Sequence, residues 1–483
     1  LFRKESFEAV DLGDISMAKR KRPAATRDPK IAPGGFDTQP LKVAGQHLTQ
    51  QVEKGQLPGF MSYVLKDGQM VHFETLGHAD LAAGKTMQME TLFRLYSQTK
   101  PFLVAGFLIL YERGLVDLHA PISKFLPEFE AAVVGAKRVP LVRPISVHDL
   151  LAHTSGIGFG PGSGYEPENA YEISYVPLVR KVDLGEIQSL AEWCQELAKV
   201  PLRFQPGKDW GYGYSSDVLG RLIEVVAGKP LAEFLRHEIL EPLQLTETFF
   251  QVPLHRQDDL AALYKREPWH GSSKKVHFVT ADVGGSGVLE NADRRVIAKP
   301  KMDTSSVLAS ESSVFLEGQT ITKQVTQGGG CVCSVAGGLV SSLRDCGRFF
   351  TMLVNEGEVD GVRLLSPESV QLLRRDWLND FTREKRRQPL WIWNAPGIGF
   401  SPLGQLGVPV EGAVPRQTAG ARLGTVHWGG AGGSGYMLDW EHHLVVLTYT
   451  GCVFDTSTQK AMWRAAYGSL RRLPKAETKK TRL

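Results

Sequence analysis

Cysteine is scarce in this chain. Its 483 residues include five cysteines, an odd number, and only Cys331 and Cys333 lie close together. This scarcity argues against a disulfide-stabilised scaffold and favours a reducing compartment such as the cytoplasm. Because the Cys331–Cys333 pair is one residue short of the common metal-binding spacing, we interpret it as packing rather than as a metal site.

Long hydrophobic runs are also absent. The longest one extends from Pro101 to Tyr111 and stops at Glu112. A membrane-spanning helix needs about 20 apolar residues, so the sequence predicts no membrane span. No hydrophobic region of a signal peptide is visible, although the chain begins with Leu rather than Met.

An excess of positive charge is missing from the body of the chain. Residues 1–35 contain eight Lys or Arg against five Asp or Glu, and residues 471–483 contain six against one. Since the net charge of the whole chain is +4, the residues between carry about −4. A nucleic-acid partner is therefore not predicted. We expect residues 1–38 to be a disordered basic arm and residues 471–483 a basic tail.

The remaining sequence has the composition of a globular protein, with 42% apolar and 22% charged residues. Apolar positions predict a helix from Gln39 to Gly55. Residues Phe60 to Gly77 alternate around an Asp-Gly pair, which predicts a β-hairpin, and Gly424 to Thr450 predicts two strands. The sequence between these strand regions is mostly helical or irregular in pattern, and residues 381–421 resemble a long Pro/Gly-rich insertion.

A serine and a lysine stand three residues apart where the most apolar helix begins. The Ser-x-x-Lys pattern occurs four times, starting at Ser16, Ser97, Ser272 and Ser457. Only Ser97 is followed by a proline in the first helical turn and then by a helix apolar enough to be buried. Because residues three apart share a helix face, Lys100 would lie beside the Ser97 hydroxyl and could act as its base.

Two other segments offer groups that could serve the same chemistry. The glycine-rich loop Pro206–Ser216 contains two phenols, Tyr212 and Tyr214, which either exchange protons with a serine–lysine pair or are ordinary half-buried side chains. The segment His427–Gly435 has five glycines in nine residues. It is either a plain turn or a strand edge that a ligand approaches closely.

Two histidines invite comparison with a catalytic triad. His148 and His153 flank Asp149 in the sequence SVHDLLAHTSGI. Both lie in a short helix and the loop after it, and we favour a structural role in which these side chains cap or bond the local backbone.

From about His47 to Gly468, the chain resembles the serine β-lactamase-like family, in its class C and esterase branch. The resemblance is carried by the segments YSQTKPFLVAGFLILYERGLVDLHAPISKFLPEF, ISVHDLLAHTSGI, PGKDWGYGYSSDVLGRLIEVVAGKPLAEFLRHEILEPL, GGGCVCSVAGGLVSSLRDCGRFFTMLVNEGEVDGVRLLSPESV and WGGAGGSGYMLDWEHHLVVLTYT. It implies an α+β, β-lactamase/transpeptidase-like fold with an antiparallel sheet flanked by helices and a mostly helical inserted region. Residues 39–470 would form this domain, with the sheet region from about 39–95 and 330–470 and the helical region from about 115–325.

The resemblance also implies roles for individual residues. Ser97 matches the nucleophile that becomes acylated, Lys100 the lysine that activates it, and Tyr212 the tyrosine that moves the proton. Tyr212 is preferred to Tyr214 because its spacing to Asp217-Val218-Leu219-Gly220 fits the esterase and acyltransferase members. The oxyanion hole would be the N–H groups of Ser97 and Ala431, with Tyr214, Trp428, Gly429 and Gly430 in contact with the substrate. No metal or cofactor is implied.

Two departures from the family pattern bear on the substrate. The Asn of Tyr-x-Asn is replaced by Tyr214, and the Lys of Lys-Thr-Gly is replaced by Trp428. A site without these polar partners discriminates against a charged β-lactam. We therefore predict a serine esterase or transesterase, with weak or no β-lactamase activity, acting on a small-molecule ester or amide. The alternatives are a D-amino-acid-type peptidase or amidase with the same residues and a non-catalytic scaffold. The sequence gives no indication of oligomeric state.

Overall fold

The hairpin predicted from the alternating residues forms the start of the main sheet. The computed structural model describes residues 36–160, 170–183, 186–269, 272–280, 338–378, 398–408 and 423–470. Strands β1 (Gly59–Lys66) and β2 (Gln69–Asp80) pair in antiparallel fashion. The turn residues Asp67 and Gly68 have φ angles of 53° and 73°. Two successive left-handed residues are typical of the tight turns that match the twist of a hairpin.

Six more strands extend this hairpin into an eight-stranded antiparallel sheet. Its order is β12-β13-β14-β15-β16-β1-β2-β3, so the C-terminal strands pair directly with the N-terminal hairpin. The added strands are β3 (Lys85–Thr86), β12 (Ile398–Ser401), β13 (Gly404–Gly407), β14 (Val426–Gly430), β15 (Ser434–Asp439) and β16 (Leu444–Tyr449).

Short pairs of strands lie outside the main sheet. They are β4 (Phe93–Arg94) with β9 (Val340–Ser341), β5 (Val133–Val134) with β6 (Val139–Pro140), β7 (Tyr264–Trp269) with β8 (Ser272–Thr280), and β10 (Glu358–Val359) with β11 (Val362–Arg363). The pairing of β4 with β9 brings the chain just before Ser97 next to the chain that follows residue 337.

The α-helices in the described ranges are numbered here in chain order. They are α1 (Gln39–Glu53), α2 (Lys100–Glu112), α3 (Val147–Leu151), α4 (Ala170–Asp183), α5 (Leu190–Leu197), α6 (Ser215–Ala227), α7 (Leu231–Leu235), α8 (Leu343–Val354), α9 (Pro367–Leu373) and α10 (Ser457–Ser469). Within the described chain, no helix is both long and apolar enough to cross a membrane.

The main sheet separates two hydrophobic layers. Alternate residues of β1 point to opposite faces: Phe60 and Val64 pack with α1 and α10, whereas Tyr63 belongs to the larger core on the other face. This period of two is what a strand buried on both faces requires. The catalytic candidates lie on the side of the larger core. There every residue of α2 from Lys100 to Leu110 is buried.

The predicted antiparallel sheet with flanking helices and a mostly helical insertion is confirmed, with three corrections. The segment 424–450 forms three strands rather than two, and β12 and β13 come from the presumed insertion 381–421. The strands Tyr264–Trp269 and Ser272–Thr280 pair in antiparallel fashion within the region predicted to be helical, as the alternation around Val276 and Phe278 favours. Residues 1–35, 281–337, 379–397, 409–422 and 471–483 lie outside the described residues; they include the predicted tail and all of the predicted arm except its last three residues, of which Phe36 is buried and bridges to Leu470. The division into domains stays a prediction.

Candidate active site

Ser97 lies on a single 3₁₀ turn, Tyr96–Thr99, that joins β4 to the buried helix α2. The residue before it, Tyr96, has a φ of 48°. A left-handed backbone is unusual for a bulky side chain and costs about 1–3 kcal/mol, so the surrounding contacts must hold it. One of them is the N–H of Leu95, which donates to the Leu339 carbonyl at 2.8 Å. Such backbone outliers are frequent at active sites.

The Ser97 hydroxyl contacts both of the groups predicted to move its proton. Its Oγ lies 2.6 Å from the Tyr212 phenol oxygen, and Lys100 Nζ donates to it at 3.1 Å. Lys100 Nζ also lies 4.7 Å from the centroid of the Tyr212 ring. The structure therefore brings Ser97, Lys100 and Tyr212 into one contacting cluster.

The Lys100 side chain is held in a protein environment rather than in water. Lys100 is the first residue of α2 and is 6% exposed. Within the part of the chain that the structure describes, no carboxylate forms an ion pair with its Nζ. Its amine is instead directed at the Ser97 hydroxyl and lies over the Tyr212 ring, which is the arrangement that a proton carrier for Ser97 requires.

The loop that carries Tyr212 is fastened to the segment that follows α3. The N–H of Gly211 donates to the His153 carbonyl at 2.9 Å, and that of Tyr214 donates to the Gly158 carbonyl at 3.1 Å. A Cβ on Gly213 would lie 2.2 Å from the Ile157 carbonyl oxygen. Glycine is therefore required for the close approach that places Tyr212.

Asp149 holds this supporting segment together. Its carboxylate accepts two hydrogen bonds from Arg143, at 2.6 and 2.9 Å, and others from Ser146 and from the Thr154 hydroxyl. Burial acts to raise the pKa of Asp149, but the hydrogen bonds from Arg143 and Ser146 outweigh it and hold this pKa below its ordinary value. The structural role expected for Asp149 is thus a capping box at the start of α3.

His153 lies much nearer to the candidate nucleophile than the sequence indicated. His153 is 2% exposed, and its ring centroid is 4.8 Å from that of Tyr212. Burial, and after it the charge of Lys100, lowers the pKa of His153 to about 3. The sequence offered no sign of this position, because the spacing of five from His148 matches neither a helix face nor a known pair. By contrast, His148 stacks on Trp377, with centroids 4.9 Å apart.

An aromatic wall borders Tyr212. The ring centroid of half-buried Trp428 lies 5.6 Å from that of Tyr212 and 6.2 Å from that of Phe400 on β12. Trp210 lies 5.5 Å from Phe400 in the same apolar cluster. Trp428 is therefore part of an apolar cluster next to the Tyr212 phenol.

Tyr214 is not brought into the site. It is 1% exposed, and its ring packs against Phe159, Tyr175 and Trp193. Its hydroxyl accepts from the Gly160 N–H at 3.3 Å. The structure therefore does not place the Tyr214 side chain beside Ser97, because the loop turns at Gly213 and directs the next side chain into the core.

The glycines of β14 allow contacts within the protein rather than an open strand edge. A Cβ on Gly430 would lie 2.0 Å from the Leu95 carbonyl oxygen, and one on Gly429 would lie 3.1 Å from Gln459 Nε2. Strand β14 therefore packs directly against the turn that carries Ser97. Ala431 follows Gly430 at the end of this strand. The assignment of the Ser97 and Ala431 N–H groups as an oxyanion hole stays a prediction that this proximity favours.

Metal-binding residues do not assemble near these groups. In the described ranges, no three His, Cys, Asp or Glu side chains group as they would around a metal ion. Cys194, Cys346 and Cys452 are free and buried. Of the residues assigned from the sequence, Ser97, Lys100, Tyr212 and Trp428 thus lie together, and their functional groups are hydroxyls, an amine and aromatic rings.

Comparisons with known proteins match this chain along most of its length. The family model described as Beta-lactamase matches residues 44–467. Protein Rv1367c of Mycobacterium tuberculosis is 29% identical over 447 residues, which are 89% of this chain and 95% of that protein. Esterase EstB of Burkholderia gladioli is 35% identical over 205 residues, and Monacolin J acid methylbutanoyltransferase of Aspergillus terreus is 31% identical over 186 residues. These two matches cover 42% and 36% of this chain, and only 49% and 41% of the relatives.

Solved structures share the fold. EstCE1, a hydrolase with promiscuous acyltransferase activity, superposes with a TM-score of 0.64 at 22% identity and covers 89% of this chain and 99% of its own. Simvastatin synthase (LovD) from Aspergillus terreus has a TM-score of 0.65 at 19% identity, covering 90% and 100%. At these identities the similarity establishes the fold alone.

Proposed function

The chain belongs to the beta-lactamase family, and from that premise we propose that it is a serine esterase or transesterase that works through an acyl-enzyme on Ser97. One observation carries the proposal. The Ser97 hydroxyl lies within hydrogen-bond distance of both the Tyr212 phenol and the Lys100 amine. A nucleophile in contact with two proton-transfer groups is the arrangement that acyl transfer requires.

The proposed reaction begins with attack of Ser97 Oγ on the ester carbonyl. As the new C–O bond forms, the hydroxyl proton passes to the Lys100–Tyr212 pair, and the carbonyl electron pair moves to oxygen. When the tetrahedral intermediate collapses, the bond to the alcohol breaks, and that alcohol takes the proton from Tyr212. Water or a second alcohol then attacks the acyl-enzyme carbonyl and loses its proton to the same pair. As this second intermediate collapses, the bond to Ser97 Oγ breaks, Oγ takes the proton back, and the acid or the new ester leaves.

The N–H groups of Ser97 and Ala431 are proposed to stabilise the oxyanion. Both belong to segments that pack against one another at Gly430 and Leu95. The N-terminal end of α2 adds partial positive charge near Ser97. Pre-arranged donors of this kind stabilise a developing negative charge without reorganisation.

The proposed substrate is an ester with an apolar acyl group. Trp428 stands where a β-lactam-binding lysine would lie in the family pattern. It forms a half-buried aromatic surface with Tyr212, and the buried ring of Phe400 supports this surface from behind. Such a surface attracts an uncharged acyl chain and offers no cation to a carboxylate. The names of the relatives, an esterase and a methylbutanoyltransferase, support the same substrate class.

The test is intact-mass analysis after incubation with a fluorophosphonate, a reagent that labels activated serines. Wild type should gain one adduct and Ser97→Ala none. Ser457→Ala is a matched control, because Ser457 begins the other helical Ser-x-x-Lys, at the start of α10, and its loss should leave labelling intact. No adduct on folded wild type would exclude the acyl-enzyme and favour the scaffold alternative.

Relative rates on three substrates then separate the catalytic alternatives. We expect a neutral p-nitrophenyl ester to be hydrolysed faster than a D-alanyl amide or a β-lactam. Faster turnover of the D-alanyl amide would favour the peptidase alternative. Comparable turnover of the ester and the β-lactam would contradict the substrate class proposed here.

A further inference from the structure

His153 is in contact with the candidate proton carrier through its side chain. Its imidazole lies 4.8 Å from the Tyr212 ring, with 30° between the planes. The ring centroids of Phe400 and Trp210 lie 5.5 and 6.3 Å from that of the imidazole, both in edge-to-face geometry. The imidazole is therefore packed among the rings of Tyr212, Phe400 and Trp210.

The backbone of His153 supports the same tyrosine. Its carbonyl accepts the N–H of Gly211, the residue directly before Tyr212, at 2.9 Å. His153 adopts a φ of 54° here, in the left-handed region that is uncommon outside glycine but less so for asparagine, aspartate and histidine. One residue thus holds both the main chain and the ring of Tyr212.

The imidazole acts in this position as an uncharged planar group. Its Nδ1 is buried and has no hydrogen-bond partner among the described residues. Burial and the neighbouring Lys100 lower the pKa of His153 to about 3, so the ring is neutral at physiological pH. A neutral ring adds no charge beside the Lys100 amine, and its packing does not depend on a hydrogen bond at Nδ1.

We propose that His153 is a positioning residue that keeps the Tyr212 phenol within proton-transfer distance of Ser97. This proposal rests on the proposed function of Ser97 and Tyr212. Removal of the imidazole opens a gap beside the phenol, which can then turn away from Ser97. A displacement of about 1 Å in a reacting group can reduce the rate about 100-fold.

The experiment measures the rate of Ser97 labelling by a fluorophosphonate, together with kcat and KM on a p-nitrophenyl ester. His153→Asn removes the ring and suits the left-handed backbone. His153→Phe restores a planar ring without the nitrogens. His148→Asn is the matched control, because His148 lies on α3 and stacks on Trp377 rather than on Tyr212. Melting temperature and circular dichroism check that each variant is folded.

We expect H153N to label about 100-fold more slowly than wild type, with a lower kcat and a nearly unchanged KM. The labelling rate of H153F should recover to within about tenfold of that of wild type, and the labelling rate of H148N should equal that of wild type. If H153N does not fold, His153→Gln carries the same test with a larger side chain. Three outcomes would each overturn the positioning role. They are a labelling rate equal to that of wild type in folded H153N, an equal decrease of the labelling rate in H148N, and no recovery of the labelling rate in H153F. Absence of labelling in wild type would instead contradict the proposed function itself.

Discussion

The phenol oxygen of Tyr212 lies 2.6 Å from the Oγ of Ser97, although 115 residues separate the two in sequence. A different local structure holds each of the two residues in place. Ser97 is held on a 3₁₀ turn before a buried helix, whereas Tyr212 is held by hydrogen bonds from its loop to residues 153–158. The site is therefore sensitive to changes in segments that never touch a substrate.

Tyr212→Phe keeps the aromatic ring and removes only the hydroxyl. If the phenol carries the proton, kcat on a p-nitrophenyl ester should fall by about 10²–10⁴-fold, the usual contribution of general acid–base catalysis. KM should change little, because the ring still borders Trp428. Steady-state kinetics and the fluorophosphonate labelling rate check this prediction.

Tyr214→Phe is the matched control for that variant. It removes a hydroxyl two residues away that bonds the Gly160 N–H inside the core. We expect full activity and a loss of about 1 kcal/mol in the free energy of unfolding, the usual contribution of one hydrogen bond. A larger loss of kcat in Y214F than in Y212F would contradict the assignment of Tyr212.

The sequence was sufficient to predict the residues that follow local rules. The Ser97–Lys100 pair could be selected because helix spacing and apolar character are local properties, and the hairpin could be predicted from its Asp-Gly turn. His153 could not be placed, because its proximity to Tyr212 depends on a left-handed backbone and on contacts across about 60 residues.

The same limit applies at the strands. The sequence left open whether Gly429 and Gly430 belong to a plain turn or to a strand edge that a ligand approaches, and in the structure their missing side chains admit Gln459 and the Leu95 carbonyl. Strands β12 and β13 are four residues each and come from a Pro/Gly-rich segment. β12 pairs with β13, and β13 pairs in turn with β14, where Gln405 lies opposite His427. This second pairing is a contact between distant parts of the sequence, which local composition does not encode.

Gly430→Ala should separate β14 from the turn that carries Ser97. Because the new Cβ would lie 2.0 Å from the Leu95 carbonyl oxygen, the backbone has to move. We expect a loss of about 1–3 kcal/mol in unfolding free energy from overpacking. If Ala431 donates to the oxyanion, kcat should also fall by about 10²–10³-fold.

Gly468→Ala is the control for that substitution. Gly468 lies in α10, where the nearest atom to a new Cβ is Pro40 Cβ at 3.3 Å. Activity should be unchanged, and stability should change by less than about 1 kcal/mol. Chemical denaturation and ester kinetics measure both variants, and an unchanged kcat in a destabilised G430A would argue against the oxyanion role of this strand.

Asp149→Asn should destabilise the protein in a pH-dependent manner. The carboxylate is buried and bonded to Arg143, Ser146 and Thr154, while Arg143 is 44% exposed and can be solvated when its partner is lost. We therefore expect a loss of about 2 kcal/mol at pH 7, below the 3–5 kcal/mol typical of a fully buried pair.

The sign of the pH dependence follows from the lowered pKa of Asp149. Burial opposes this lowering, and the bonds from Arg143 and Ser146 outweigh it. The stabilisation is complete above the ordinary value of 3.8 and is lost as the pH falls through the folded-state pKa below it. The stability difference between wild type and D149N should therefore be constant from pH 7 to 5 and shrink below pH 4. A difference that stays the same down to pH 2 would contradict the ionised role of Asp149.

Trp428→Lys should shift the preference of the site toward substrates with a carboxylate. The residue lies on the aromatic wall, 5.6 Å from the Tyr212 ring by centroid, at the position where the family pattern has a lysine. A lysine there offers a charge-assisted hydrogen bond to the carboxylate of a β-lactam and removes apolar contact with a neutral acyl group. We expect the ratio of kcat/KM for a β-lactam to that for a p-nitrophenyl ester to rise about tenfold, which corresponds to about 1.4 kcal/mol.

Trp428→Met is the control, because it removes the ring without adding a charge. If W428M and W428K change the ratio equally, the effect comes from the lost ring, and the missing cation does not explain the predicted discrimination against β-lactams.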